Sequence, residues 1–132
     1  MIAAEAGTRG LAVAALFACY VEDRDRERAA IAGFDARGHL KNFVDVPGCA
    51  HRVDGIVGAM RTTLAMPDVC QVIMAHSHPG SSAAPSPQDV ATTRRLASLV
   101  RLAGGWLSDH LIFGDDGIYS MTAQRRVFQW AK

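Results

Sequence analysis

The chain has 132 residues, of which 49% are apolar and 20% are charged, and its formal net charge is +1. This length suits one domain with its own core and is too short for two. The composition is that of a globular protein and excludes a disordered one. A net charge so near zero gives no overall electrostatic attraction for nucleic acid. We therefore expect a single domain over residues 1–132 that binds nucleic acid weakly, in a salt-dependent way, or not at all.

Two features indicate where the protein works. Residues 11–21 (LAVAALFACYV) have the length of the apolar part of a signal peptide, but Glu5 and a single arginine precede them. The stretch is also shorter than the roughly 20 residues that a membrane span needs, so we predict a buried helix. The cysteines Cys19, Cys49 and Cys70 are odd in number and lack a CxxC spacing. They favour free thiols in a reducing cytoplasm.

The predicted elements follow from apolar spacing and from turn residues. In chain order they are a helix (11–21), a hairpin of two strands (29–35 and 39–46), a helix (53–64), a buried strand (69–75), a helix from 86 to 103, two strands (106–113 and 118–121) and a closing helix (124–131). Strands that alternate with helices in this way predict an α/β domain, a mixed β-sheet flanked by helices.

The segment HSHPGSSAAPSPQD, residues 76–89, carries the most chemistry. In an extended chain, residues two apart point the same way, so His76 and His78 can reach one ion together. Ser86 followed by a proline is a typical helix start, which puts Asp89 in the first helical turn. Two imidazoles and a carboxylate are a plausible ligand set for a catalytic zinc, which keeps a fourth position for water.

A simpler interpretation needs no metal. Ser86 and Asp89 stand three residues apart, which is close to the spacing of a capping box at a helix N-terminus. The capping and metal-binding interpretations can coexist.

These residues resemble the signature of the JAMM (JAB/MPN) zinc metalloproteases: His-x-His, seven residues, Ser, two residues, Asp. Within that superfamily the chain is most similar to the bacterial RadC group, over about residues 27–122, through FDARGHL, VIMAHSHPG, DVATTRRL and SDHLIFGDDGIYS. RadC proteins usually read HNHPSGD where this chain has HSHPGSS, and we expect no N-terminal helix-hairpin-helix region. The resemblance implies a JAB/MPN-like (cytidine-deaminase-like) fold and a Zn²⁺ ion held by His76, His78 and Asp89. It also implies hydrolysis of an amide or isopeptide bond in a peptide or protein.

The resemblance also implies a base and an oxyanion donor. JAMM enzymes use a glutamate upstream of the His pair, and RadC-like proteins place it eight residues before the aspartate that ends the first strand. Asp35 ends the predicted strand here, so the role falls on Glu27. Glu22 is the alternative, and Glu27 is otherwise one more charge in a solvated run. Ser86 takes the oxyanion role. His110 is a candidate for a group that supports a metal ligand, but it has no ligand spacing, and we expect it to be a hydrogen-bonded strand histidine.

Two other functions stay open at this stage. One is a DNA-repair-associated protein that interacts with nucleic acid, as the RadC name implies. The other is an interaction module that holds a metal without turnover. The complete set of ligands in this chain argues only against a metal-free scaffold.

Overall fold

The computed structural model describes residues 27–46 and 53–129. The described elements are β1 (Ala29–Phe34), β2 (Leu40–Val46), α1 (Val53–Leu64), β3 (Gln71–Ser77), α2 (Pro87–Leu102), β4 (Trp106–Gly114), β5 (Gly117–Ser120) and β6 (Arg125–Phe128). The helix predicted at residues 11–21 lies outside the described residues. Neither described helix has the length and apolar character that crossing a lipid bilayer requires.

The strands form one mixed sheet in the order β2-β1-β3-β4-β5-β6. Its parallel pair is β3 with β4, and the other neighbours are antiparallel. Parallel neighbours need a crossover connection, and α2 provides it. The crossover brings the C-terminal end of β3 next to the N-terminal end of α2, so the two halves of the His-x-His…Asp motif meet there.

The core lies on both faces of the sheet, as the apolar character of the central strand predicts. All seven residues of β3 are buried, which is the pattern of a strand covered on both sides. On one face, α1 and α2 pack against the sheet through Ile56, Ala59, Met60, Leu96 and Val100. The opposite face is an apolar cluster centred on Phe34, Ile73, Ala75, Leu111 and Phe113. This α/β fold with a mixed sheet agrees with the predicted fold class.

The closing helix predicted at residues 124–131 is wrong, because Arg125–Phe128 form strand β6. Residues 121–124 make a turn in which Gln124 has a positive φ of 56°, and this reverses the chain beside β5. The backbone of β6 then pairs with Ile118–Ser120 of β5. Val127 and Phe128 are compatible with a strand as well as with a helix. The pairing with β5 therefore decides that this segment is a strand.

Candidate metal centre

The two histidines of the motif lie where β3 ends. His76 belongs to β3 and is 4% exposed, and His78 follows the last residue of the strand. The backbone N–H of His78 donates to the carbonyl of Phe113 on β4, which continues the sheet past the strand end. The extended backbone turns both rings to the same side, and their Nε2 atoms lie 2.9 Å apart. The predicted pairing of these two imidazoles is therefore present.

Asp89 joins the histidines from the first turn of α2. Ser86 is the N-cap, with Oγ accepting from the N–H of Asp89 at 3.0 Å and the Ser86 N–H donating to Asp89 Oδ2 at 2.8 Å. The same carboxylate lies 3.2 Å from His76 Nε2 through Oδ1 and 3.2 Å from His78 Nε2 through Oδ2. The capping box exists, and it aims the carboxylate at the two imidazoles, so the two interpretations of this pair are compatible.

The three side chains fit a metal ion in chemistry and in spacing. Their candidate ligand atoms all lie within 4.8 Å of one another. Tetrahedral zinc with bonds of about 2.0–2.1 Å needs ligand atoms about 3.3 Å apart, close to the contacts between the rings and the carboxylate. Hydrolytic zinc sites also use two imidazole nitrogens and one carboxylate as ligands, and they leave a fourth position for water. His76, His78 and Asp89 can therefore hold a divalent metal.

Glu27 reaches the same place through strand pairing. Ala29 on β1 stands opposite His76 on β3, so Glu27, two residues before Ala29, comes level with the end of the His pair. Ser77 anchors this approach, because its Oγ accepts the N–H of Arg28 at 3.0 Å. Glu27 then lines a cavity of about 10 Å³ together with His76 and Asp89, about the space of one water molecule. The structure places Glu27 at the site, and Glu22 lies outside the described residues.

Ser86 is partly buried and is hydrogen-bonded to Asp89, one of the candidate ligands. Its Oγ already accepts the N–H of Asp89, so one lone pair is used in the cap. A hydroxyl has one proton and two acceptor positions, so the proton of Ser86 can still be donated elsewhere. This leaves Ser86 able to donate to an oxygen close to the metal ligands.

Comparisons with known proteins identify the family of the chain. The family model described as RadC-like JAB domain matches residues 9–127. The chain belongs to this family. A UPF0758 protein of Porphyromonas gingivalis is 48% identical over 48 residues, which are 36% of this chain and 21% of that protein. A UPF0758 protein of Geobacillus thermodenitrificans is 32% identical over 81 residues, 54% of this chain and 36% of that protein. The chain therefore spans only about a fifth to a third of these relatives.

The charge state of this RadC-like JAB site depends on His78. Its hydrogen bond with Asp89 raises the pKa of His78, against the opposing effect of burial, and the Ser82 carbonyl and the Glu27 charge raise it further. Burial acts to raise the pKa of Asp89, but the contacts with the side chains of His76 and His78 and the hydrogen bond from the Ser86 N–H outweigh it and bring that pKa well below its usual range. Without a metal, the contact between them therefore favours the protonated form of His78 and the ionised form of Asp89.

We expect metal binding to weaken as the pH falls through the raised pKa of His78. A metal-bound imidazole must be neutral, so binding releases the His78 proton, and the apparent affinity falls about tenfold per pH unit below that pKa. Competition with a chromophoric chelator between about pH 5 and 8 measures this. Calorimetry in buffers of different ionisation enthalpy counts the released proton. An affinity that stays constant across this range would contradict the assignment of His78 as a ligand.

His110 lies nearer to the candidate ligands than its sequence context indicated. It is 1% exposed, and burial lowers the pKa of His110 to about 3, so the ring is neutral at physiological pH. It is a hydrogen-bonded strand histidine, as expected, but its partners are His76 and Thr93. Thr93 was not anticipated. Its four-residue distance from Asp89, which puts both on one face of α2, is the signal that sequence offered.

The ring of His78 is oriented by a hydrogen bond to the loop before α2. Its Nδ1 lies 3.0 Å from the carbonyl oxygen of Ser82. Asp116, in the turn after β4, accepts from the Ser82 hydroxyl at 2.9 Å and from the Ala83 N–H at 2.8 Å. Gly114 permits this contact, because a Cβ there would lie 2.1 Å from the nitrogen of Ala83. The turn residues that end β4 thus fix the loop that orients the candidate ligand His78.

Proposed function

We propose that this domain is a zinc-dependent hydrolase of an amide or isopeptide bond in a peptide or protein substrate. The observation that carries the proposal is the meeting of His76, His78 and Asp89 at one point, with Glu27 lining the same small cavity. A ligand set with a carboxylate beside it, in a place that admits a water molecule, is the arrangement that hydrolysis needs.

Each residue has a separate task in this proposal. A zinc ion bound there supplies Lewis acidity, lowering the pKa of water toward about 7 and polarising a carbonyl. Glu27, which is not among the ligands, accepts a proton from the water molecule and returns it to the leaving amine. Ser86 donates its hydroxyl proton to the oxygen that becomes negative as the carbonyl carbon turns tetrahedral. His76, His78 and Asp89 hold the metal and carry no proton to the substrate.

The alternatives receive less support from the residues. The relatives compared above carry the name UPF0758, which assigns no activity. A DNA-binding role has only the family name behind it, because the net charge is +1. A metal-binding interaction module has the same ligands but gives Glu27 no task beside them. For this reason we favour the hydrolase.

Cleavage of amide or isopeptide bonds is expected to require the metal. Purified protein should cleave members of a quenched-fluorescence library that contains peptide bonds and lysine isopeptide bonds. A chelator should abolish cleavage, and added zinc should restore it, because the proposed reaction needs the Lewis acidity of the metal. Zinc-loaded protein that cleaves none of these substrates would instead favour the interaction module. Sequence-specific DNA binding that survives physiological salt would favour the DNA-related role.

A further inference from the structure

A chain of three hydrogen bonds runs behind the metal ligands and joins β3, β4 and α2. His76 Nδ1 lies 2.7 Å from His110 Nε2. His110 Nδ1 lies 2.6 Å from Thr93 Oγ1, and Thr93 Oγ1 lies 2.7 Å from the backbone carbonyl oxygen of Asp89. We name this set the His110 chain. It begins at one metal ligand and ends at another.

The direction of every bond in the His110 chain follows from its last member. A carbonyl oxygen only accepts, so in this bond the Thr93 hydroxyl is the donor and gives its single proton to the backbone carbonyl of Asp89. The lone pairs of Thr93 Oγ1 then accept a proton, which the Nδ1 of His110 must supply. A neutral imidazole that carries its proton on Nδ1 has a bare Nε2, which accepts. That Nε2 therefore accepts the proton on Nδ1 of His76.

These bond directions determine which nitrogen of His76 carries the proton. When His76 carries its proton on Nδ1, its Nε2 lone pair is free. It points at the place where His78 Nε2 lies 2.9 Å away and Asp89 Oδ1 lies 3.2 Å away. A free imidazole exchanges between two tautomers, and the one with a proton on Nε2 cannot bind a metal through that atom. The His110 chain selects the competent tautomer before any metal arrives.

Thr93 is needed to set the tautomer of His110, because a ring nitrogen of a neutral histidine can be either a hydrogen-bond donor or an acceptor. His78 is oriented directly by the carbonyl of Ser82, which can only accept. His76 instead meets the ring of His110, whose Nε2 can accept or donate according to its own tautomer. The Thr93 hydroxyl, held by the helix carbonyl, removes that ambiguity. It also ties the ring of His76 to the helix that carries Asp89.

We propose that His110 and Thr93 are positioning residues that set the tautomer of His76 and couple it to α2. This inference rests on the metal site of the proposed function and adds to it the two residues that prepare one ligand. Groups that orient a metal-bound histidine typically contribute about 10–100-fold to metal affinity. Removing either member should therefore weaken metal binding by that factor without changing any ligand.

Two pairs of variants of the full chain test the proposal. His110→Leu and Thr93→Val keep the apolar volume and remove the hydrogen bonds, and we expect zinc to bind about 10–100-fold more weakly. His110→Gln and Thr93→Ser should recover most of the loss. The glutamine amide can accept from His76 and donate to Thr93, and serine keeps the hydroxyl. Zinc affinity is measured by competition with a chromophoric chelator, which needs no substrate.

Thr63→Val is the matched control on the other helix. The Thr63 hydroxyl is buried and donates to the carbonyl four residues back, as that of Thr93 does, and the side chain amide of Asn42 lies 3.4 Å from it. It does not line the cavity beside the metal ligands. We expect this variant to lose stability but to bind zinc as tightly as wild type.

The tautomer of His76 is a second readout, one that a merely structural role would not move. Long-range ¹H–¹⁵N spectra of the metal-free protein should show His76 protonated on Nδ1 in wild type. In Thr93→Val the population protonated on Nε2 should increase, since that proton can bond to Asp89. This measurement keeps the proposal testable if His110→Leu fails to fold.

The outcomes separate the two proposals. Wild type that binds zinc tightly, with Thr93→Val and His110→Leu binding equally well, would refute the His110 chain and leave the metal site intact. A loss in Thr63→Val as large as that in Thr93→Val would refute it too, because the effect would then come from general destabilisation. Wild type that binds no zinc would overturn the proposed function and the chain with it.

Discussion

Replacing Glu27 with glutamine is expected to lower turnover by about 10²–10⁴-fold, the usual contribution of a general base, while zinc content stays at the wild-type level. Glutamine has nearly the same shape, so it fills the cavity beside His76 and Asp89, but it cannot accept a proton at neutral pH. The metal is retained because the cluster of candidate ligands consists of His76, His78 and Asp89. Turnover on a cleavable peptide tests the expected loss of activity, and metal analysis of the same preparation tests whether zinc is retained.

Glu22→Gln is the matched control, because Glu22 is the other carboxylate that the sequence offers as the base. It should keep full turnover. The reverse result, with Glu22→Gln inactive and Glu27→Gln unchanged, would show that the eight-residue offset from Asp35 selected the wrong carboxylate. If both variants kept full activity, the base would lie elsewhere or the domain would not be a hydrolase. The melting temperature of each variant checks that the fold is intact.

The meeting of the three candidate ligands could be predicted because their geometry is local. His76 and His78 point the same way on any extended backbone, and Ser86 with a following proline starts a helix in many contexts. Asp89 is then three residues from its cap, and the capping box fixes its carboxylate. The sequence did not show which strand would pair with β3, or what would bring the start of α2 beside the end of β3. The parallel pairing of β3 and β4, with α2 as their connection, answered that.

The contacts that orient the candidate ligands were harder to predict, because they join residues distant in sequence. His110 is 34 residues from His76, and Asp116 is 34 residues from Ser82. Neither residue has a spacing that points at the motif, and a buried histidine in an apolar strand is more often a core residue. The missed strand β6 has a different cause, because its partner β5 is close to it in sequence. Its pairing with β5, set by the turn at Gln124, outweighed the local pattern of residues 124–131.

We expect purified wild type to carry about one zinc ion per chain and His78→Ala to lose most of it, because two remaining ligands hold zinc poorly. Asp89→Asn should also weaken binding, since it removes the anionic ligand. The asparagine amide oxygen can still accept the N–H of Ser86, so this variant keeps the helix cap and isolates the effect of charge. Elemental analysis of dialysed protein and chelator competition measure the loss.

Thermal stability gives an independent measure of the same binding. A ligand that binds only the folded state stabilises it by about 2.7 kcal/mol at 100 times its dissociation constant, so zinc should raise the melting temperature of wild type. The rise should disappear in His78→Ala and remain in His39→Ala, whose exposed imidazole pairs with Asp35 away from the site. Wild type from zinc-replete medium without stoichiometric metal would refute the assignment of the three ligands. If His39→Ala lost the rise as fully as His78→Ala, the stabilisation would come from zinc bound at the protein surface rather than at the meeting point of β3 and α2.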